Sequence, residues 1–186
     1  MYPFLTPHGL IMKLNREPLQ EIIDETVKKD HEFWSRYTQQ LIGLAVNYET
    51  SVKELCDYVE KVYRRKDLKE FKGDDAFARN PAAQKTFSKL RSSIAGVYAW
   101  RTGNTKMPAA QQRMLKEADF AFKQAYALCP YSPEALFRYV NSLVTAGRID
   151  DAILLATTTL KLDPDNTQIE ALIKELRRMN QPQRAP

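Results

Sequence analysis

Apolar residues return every three or four positions over most of the chain, the interval of helices with one buried face. Pro18 suits a first helical turn, and Leu19, Ile22, Ile23 and Val27 share one side of the stretch that follows. Asp30 is placed to cap a next helix carrying Phe33, Trp34, Tyr37, Leu41 and Leu44. A third helix is expected from Thr50, with Glu54 nearby, Val52, Leu55, Val59 and Val62 on its face, and Arg64-Arg65-Lys66 at its negative end. Phe71–Asn80 reads as a loop with room for one helical turn, and Asn80-Pro81 as a turn into a helix. From Lys85 to Arg101 the apolar set is Phe87, Leu90, Ile94, Val97 and Tyr98. The exception is Met1–Glu17, which is apolar without a period and broken by Pro3, Pro7 and Gly9. It predicts an extended strap lying on the domain rather than a helix.

The second half of the chain repeats itself. Ala118, Phe122, Ala125 and Leu128 precede Pro130 at the same spacings as Ala152, Ala156, Thr159 and Leu162 precede Pro164. The two prolines are 34 residues apart, the period of the tetratricopeptide repeat, a helix–turn–helix unit with small residues where its helices cross. Lys85–Met179 resembles two such units. In the first, Gly96 sits inside the leading helix, where glycine costs about 1 kcal/mol against alanine and so implies a close approach. Gly103 is expected at the turn, and Asn104–Gln111 as an insertion. In the second, Ser132 caps, Pro133 opens, Gly147 turns the chain and Asp150 caps the partner helix. The resemblance is weaker in the leading helices, where Ser92 and Leu136 stand in place of a large aromatic and Val140 in place of a small residue. A last helix from Asn166 or Thr167 buries Ile169, Leu172, Ile173 and Leu176 and turns a polar face outward, as a terminal repeat must. The expectation is an all-α fold: a strap over residues 1–17, a helical part over 18–84, two units and a capping helix over 85–180, and a frayed tail from Gln181. Two units are fewer than a free solenoid needs, so the N-terminal helices must complete the stack.

A further resemblance runs through YPFLTPHGLIMKLN, KDHEFWSRY, FSKLRSSIAGVYAWR and EADFAFKQAYALCPYSPEALFRYVNSL. These stretches resemble the soluble C-terminal part of a bacterial multi-span membrane-protein family similar to protein O-mannosyltransferases. The resemblance implies the extracytoplasmic tail of a larger glycosyltransferase-like protein, with its catalytic acids in the membrane part and none on these residues. An apolar beginning at Met1 that needs cover is consistent with a fragment boundary.

Composition narrows the chemistry. With 44% hydrophobic and 27% charged residues the chain can bury a core. The net charge of +5 comes from interspersed rather than clustered charges, which disfavours a nucleic-acid surface. Cys56 and Cys129 have no metal or redox spacing and read as buried hydrophobes, with a disulfide left open for an oxidising compartment. His8 and His31 lack a second ligand at a metal spacing, so neither a metal nor a cofactor is expected. No phosphate-binding loop or nucleophile elbow is present, and the adjacent pairs Asp24/Glu25, Asp74/Asp75 and Asp150/Asp151 point apart on helices.

The expected function is therefore non-catalytic capture of a protein or peptide, or of the parent membrane domain. By register, Ser93, Val97, Trp100 and Arg101 of the first unit and Glu134, Phe137, Asn141 and Thr145 of the second would face a concave groove. Trp100 and Phe137 would be anchors, and Arg101 and Asn141 would bind backbone or carboxylate. Packing of Trp100 and Phe137 on the N-terminal helices is the competing reading. A free-standing cytoplasmic scaffold and an RNA- or small-ligand-binding helical domain are the alternatives.

Overall fold

The computed structural model describes residues 1–181 and is built almost wholly from helices. The chain enters through a 3-10 turn, Tyr2–Phe4, and then forms an antiparallel hairpin of β1 (Leu5–His8) and β2 (Ile11–Leu14). Gly9, with φ +60°, opens the two-residue turn between them, where a positive φ matches the twist of paired strands. The strap is thus a hairpin, and Pro7 is tolerated because the ribbon has only edges. Asn15 closes its base by donating to the Phe4 carbonyl at 2.9 Å.

Helix α1 (Asp24–Ile42) is continuous, which corrects two expectations. Residues 18–23 are not helical, and Ile23 is exposed. Asp30 caps nothing; it lies in the middle of α1 and is buried. Gly43 ends α1 at φ +68°, and a side chain there would strike the backbone of Lys72 and Gly73. Helix α2 (Val52–Val59) starts one residue later than expected. Ser51 and Glu54 form a capping box, while Thr50 bonds back to Asn47. A π-helical turn, Glu60–Arg64, prolongs it into the basic run. Asp74 caps the short α3 (Asp75–Ala78), and Asn80 and Pro81 open α4 (Pro81–Asn104).

The remaining helices are α5 (Pro108–Leu128), α6 (Pro133–Thr145), α7 (Ile149–Leu160) and α8 (Thr167–Asn180). Successive members of this series pack as neighbours, and α4 also touches α6. No insertion loop separates α4 from α5. The surplus residues become helix, giving elements of 24 and 21 residues joined by Thr105–Met107. Gly103 accordingly lies inside α4 rather than at the turn. Gly147 does make its turn, at φ +73°: its N–H bonds Val144 and that of Arg148 bonds Leu143, the two bonds of a Schellman motif. Asp150 falls in the first turn of α7 and accepts from Asn180, with Arg148 at the cap position. Ser132 and Asn166 cap α6 and α8.

Small residues sit at the crossings. Ala118, Ala121, Ala125, Ala152 and Ala156 are all buried, so backbones approach closely where a larger side chain would hold them apart. Helices α1 and α2 cover the α5 side of the stack, with α2 also on α7, while the hairpin lies on α1 and α4. The tail expected to fray from Gln181 falls, from residue 182 on, outside the described residues.

Candidate functional site: the groove between α4, α5 and α6

Three docking arrangements decide which part of the repeat surface is left open. The first is a buried polar knot. Arg91 of α4 donates from Nη1 to Asp30 of α1 at 2.8 Å and from Nε to Gln124 of α5 at 2.8 Å. Its guanidinium lies between the rings of Trp34 and Phe120, 5.0 and 5.5 Å from their centroids. Tyr98 donates to the same Asp30 oxygen at 3.0 Å, and burial drives its phenol well above the ordinary range. These bonds and the two flanking rings offset the burial of the pair, although Asp30 Oδ1 and Arg91 Nη2 are buried without a partner.

The second arrangement surrounds Glu117, buried on α5. It accepts from Tyr48 at 2.5 Å and faces the His31 ring nitrogen at 3.2 Å, while Lys123 donates to the Tyr48 carbonyl at 2.8 Å. The third is Arg101. It donates from Nη1 to the carbonyls of Leu19 and Gln20, at 2.5 and 2.9 Å, and from Nη2 to that of Pro3 at 2.9 Å. Tyr2 stacks on the neighbouring Trp100, with centroids 5.9 Å apart.

These contacts redistribute the expected groove residues. Arg101 binds backbone as its chemistry predicts, but the backbone is the chain's own, and Arg101 is only 2% exposed. Val97 is fully buried in the core. Trp100 is half-buried and stacks on Tyr2 of the entering strap, not on the N-terminal helices. Ser93 borders a cleft between α4 and the hairpin. Phe137 points to a small recess facing α8, with Ile169. Glu134 is occupied by an ion pair with Arg138 at 3.0 Å. Only Asn141 and Thr145 line the open groove.

That groove measures about 560 Å³ and runs between α4, α5 and α6. Gly96, Ala99 and Ala118 keep its floor low, Leu115 and Phe122 make it apolar, and Arg138, Asn141, Ser142 and Thr145 form a polar side. A Cβ on Gly96 would come within 3.3 Å of the Arg138 guanidinium, so the glycine admits the α6 arginine rather than the backbone of α5. On α4 the N-terminal segment covers the expected face and leaves Gly96, Ala99 and Thr102 open, while on α6 Phe137 turns toward α8 and Asn141, Ser142 and Thr145 line the groove. The spacing Arg138, Asn141, Ser142, Thr145 is itself a helical stripe and was the available signal; Tyr2 at its edge had none.

Among the described residues no group of three or more His, Cys, Asp or Glu is placed to hold a metal, and no helix is long and apolar enough to cross a membrane. Cys56 and Cys129 are buried free thiols, each pushed up to about 11 by burial.

Residues 109–176 match the tetratricopeptide repeat family. The matched stretch starts at the first turn of α5 and ends in α8, so it includes the whole α6–α7 pair and leaves out α4. The all-α, tetratricopeptide-like architecture is thereby shown, and repeats of this kind generally mediate protein–protein interaction. No curated protein and no solved structure matches the chain.

Proposed function

We propose that this chain is a non-catalytic interaction module whose tetratricopeptide-like groove between α4, α5 and α6 docks a segment of a partner protein. The observation that carries the reading is the groove's make-up: a floor of Gly96, Ala99 and Ala118 low enough for a backbone to approach, beside Leu115 and Phe122 for apolar anchors. Asn141 stands where it can bond main-chain groups of the docked segment, beside an Arg138 that is already paired with Glu134. A photo-crosslinking residue at Ser142 tests it. Crosslinked partner is expected, and it should vanish when Ala99→Trp fills the floor; equal crosslinking with the filled groove overturns the assignment.

The partner we infer is an acceptor protein or the membrane domain of a glycosyltransferase-like parent, on the extracytoplasmic side of a bacterial membrane. Support comes from the four stretches that resemble the soluble tail of that family. Sequencing the DNA upstream of the Met1 codon tests the parentage. An open frame encoding hydrophobic spans is expected; an immediate in-frame stop removes it and leaves a free-standing scaffold.

A further inference from the structure

The hairpin leaves one edge of β2 without a partner strand. At its base the Asn15 N–H donates to the Phe4 carbonyl at 2.8 Å, so Phe4 and Asn15 form a bonded pair. Bonded and non-bonded pairs alternate along an antiparallel ladder. Leu5 lies opposite Leu14, Thr6 opposite Lys13, Pro7 opposite Met12 and His8 opposite Ile11, so Met12 and Leu14 fall at non-bonded positions. Pro7, which has no N–H, sits where β1 needs none. The N–H and C=O of Met12 and Leu14 therefore point away from β1, and among the described residues they make no main-chain hydrogen bond. Such a row of unpaired groups is a template for an added strand.

The edge is preformed and open. The Trp34 indole donates to the Gly9 carbonyl at 3.0 Å at the hairpin tip, and Arg101 bonds the Pro3 carbonyl at 2.9 Å near its base. A strand that docks here meets an ordered edge, which lowers the entropy cost of binding. Ile11, Lys13 and Leu14 are exposed.

The surroundings select the strand. A cleft of about 280 Å³ lies between β2 and α4, walled by Leu10, Met12, Leu90 and Ile94 and also lined by Lys89. It shares no lining residue with the groove between α4, α5 and α6. Residues 1–16 and 81–104 contain no Asp or Glu, although the chain has 23 acidic residues. Lys13, Arg16, Lys85 and Lys89 are exposed there. A second copy, added antiparallel, could use all four edge groups only by pairing Met12 of one copy with Leu14 of the other. That register sets two Lys13 side chains directly opposite, at a non-bonded position with Cα atoms about 4.5 Å apart. Like charges so placed are destabilising. We propose that the free edge of β2 takes up an extended segment of a partner protein in which an acidic residue lies between two apolar ones. The acid stands opposite Lys13. The apolar residues stand opposite Met12 and Leu14, on the face of the ribbon that borders the α4 cleft.

Acetyl-Thr-Ile-Glu-Ile-Thr-amide is the probe. In ¹H–¹⁵N spectra the Met12 and Leu14 amides should shift saturably, while those of Ile11 and Lys13, which face β1, move less. The peptide with Lys in place of Glu should bind at least about threefold more weakly, as a like charge opposite Lys13 implies. N-methylation of both isoleucines removes the donors to the edge and should abolish the shifts. Leu14→Pro deletes an edge N–H that β1 does not use, so the melting temperature should hold while affinity falls about tenfold or more. Lys13→Glu changes an exposed side chain and should reverse the preference toward the Lys peptide. No saturable shift, shifts that do not alternate along β2, or an unchanged preference in Lys13→Glu would overturn the proposal. So would a concentration-dependent dimer that Leu14→Pro abolishes, which would assign the edge to a second copy.

Discussion

The α4–α8 stack and the N-terminal 64 residues share one apolar core but differ in the polar contacts added to it. Within the stack, alanines meet at helix crossings and Leu136, Val140, Leu143 and Leu155 fill the space between them, all buried. Between the N-terminal part and the stack, Trp34, Leu55 and Val59 join the common core, and several polar fixed points are added. Asp30 meets Arg91, Tyr48 meets Glu117, Tyr63 donates to the carbonyls of Ala127 and Leu128 at 2.9 Å, and Arg101 holds Pro3, Leu19 and Gln20. Apolar packing is tolerant of exchange at constant volume, whereas a buried charge fails at once when its partner goes. The N-terminal part is therefore seated in one register, and that register decides which face of the repeat helices stays open.

The sharpest way to break this contrast is Arg91→Met. It leaves Asp30 buried and unpaired, and the expected loss of stability in urea unfolding is about 3–5 kcal/mol. Asp30→Leu combined with Arg91→Met should recover much of it. A double variant as damaged as the single one would mean that the pair's geometry, and not its charge, seats the N-terminal part.

Overpacking a repeat crossing with Ala156→Leu should cost less, about 1–3 kcal/mol, and should leave the Asp30–Arg91 pair intact. Near-UV circular dichroism reports whether the aromatic environment around Trp34 survives; its loss would show that the two regions do not yield separately.

Alkali tests both regions together. Cys56 and Cys129 hold their protons up to about 11 in the fold, against an ordinary 9.0, and Tyr63, Tyr98 and Tyr139 are raised well above 10.0. The unfolded chain ionises first, so it binds fewer protons than the fold. Stability should be level with respect to these groups below pH 9 and fall from pH 9 toward 11, by up to about 1.4 kcal/mol per thiol per pH unit. A melting temperature that holds steady across that window would mean the thiols reach solvent. The smallest effect belongs to Ser51→Ala, which removes the capping box of α2 for about 1 kcal/mol, read as a shift in the urea midpoint.

The apolar period located α4 through α8 because each repeat helix buries a stripe that recurs at 3.6 residues, and Ser132, Gly147 and Asn166 mark ends by chemistry local to each turn. The groove residues were less legible. Asn141 and Thr145 lie on the open stripe of α6, but Val97 and Arg101 lie on a different side of α4 from Gly96 and Ala99, since each residue turns the helix by about 100°. Nothing within α4 says which of these neighbouring stripes another element will cover.

On its own, then, the order of residues determined what is local: which segments become helices, where small side chains allow them to cross, and that one helical hairpin follows another. Tertiary structure alone decided that Asp30 is a buried counterion rather than a cap, that the opening strap is a hairpin, and that Arg101 faces the chain's own carbonyls. The first and last of these join residues 61 to 98 positions apart. A pairing at that distance leaves no periodic trace, because it is set by which surfaces meet and not by the neighbours of either residue.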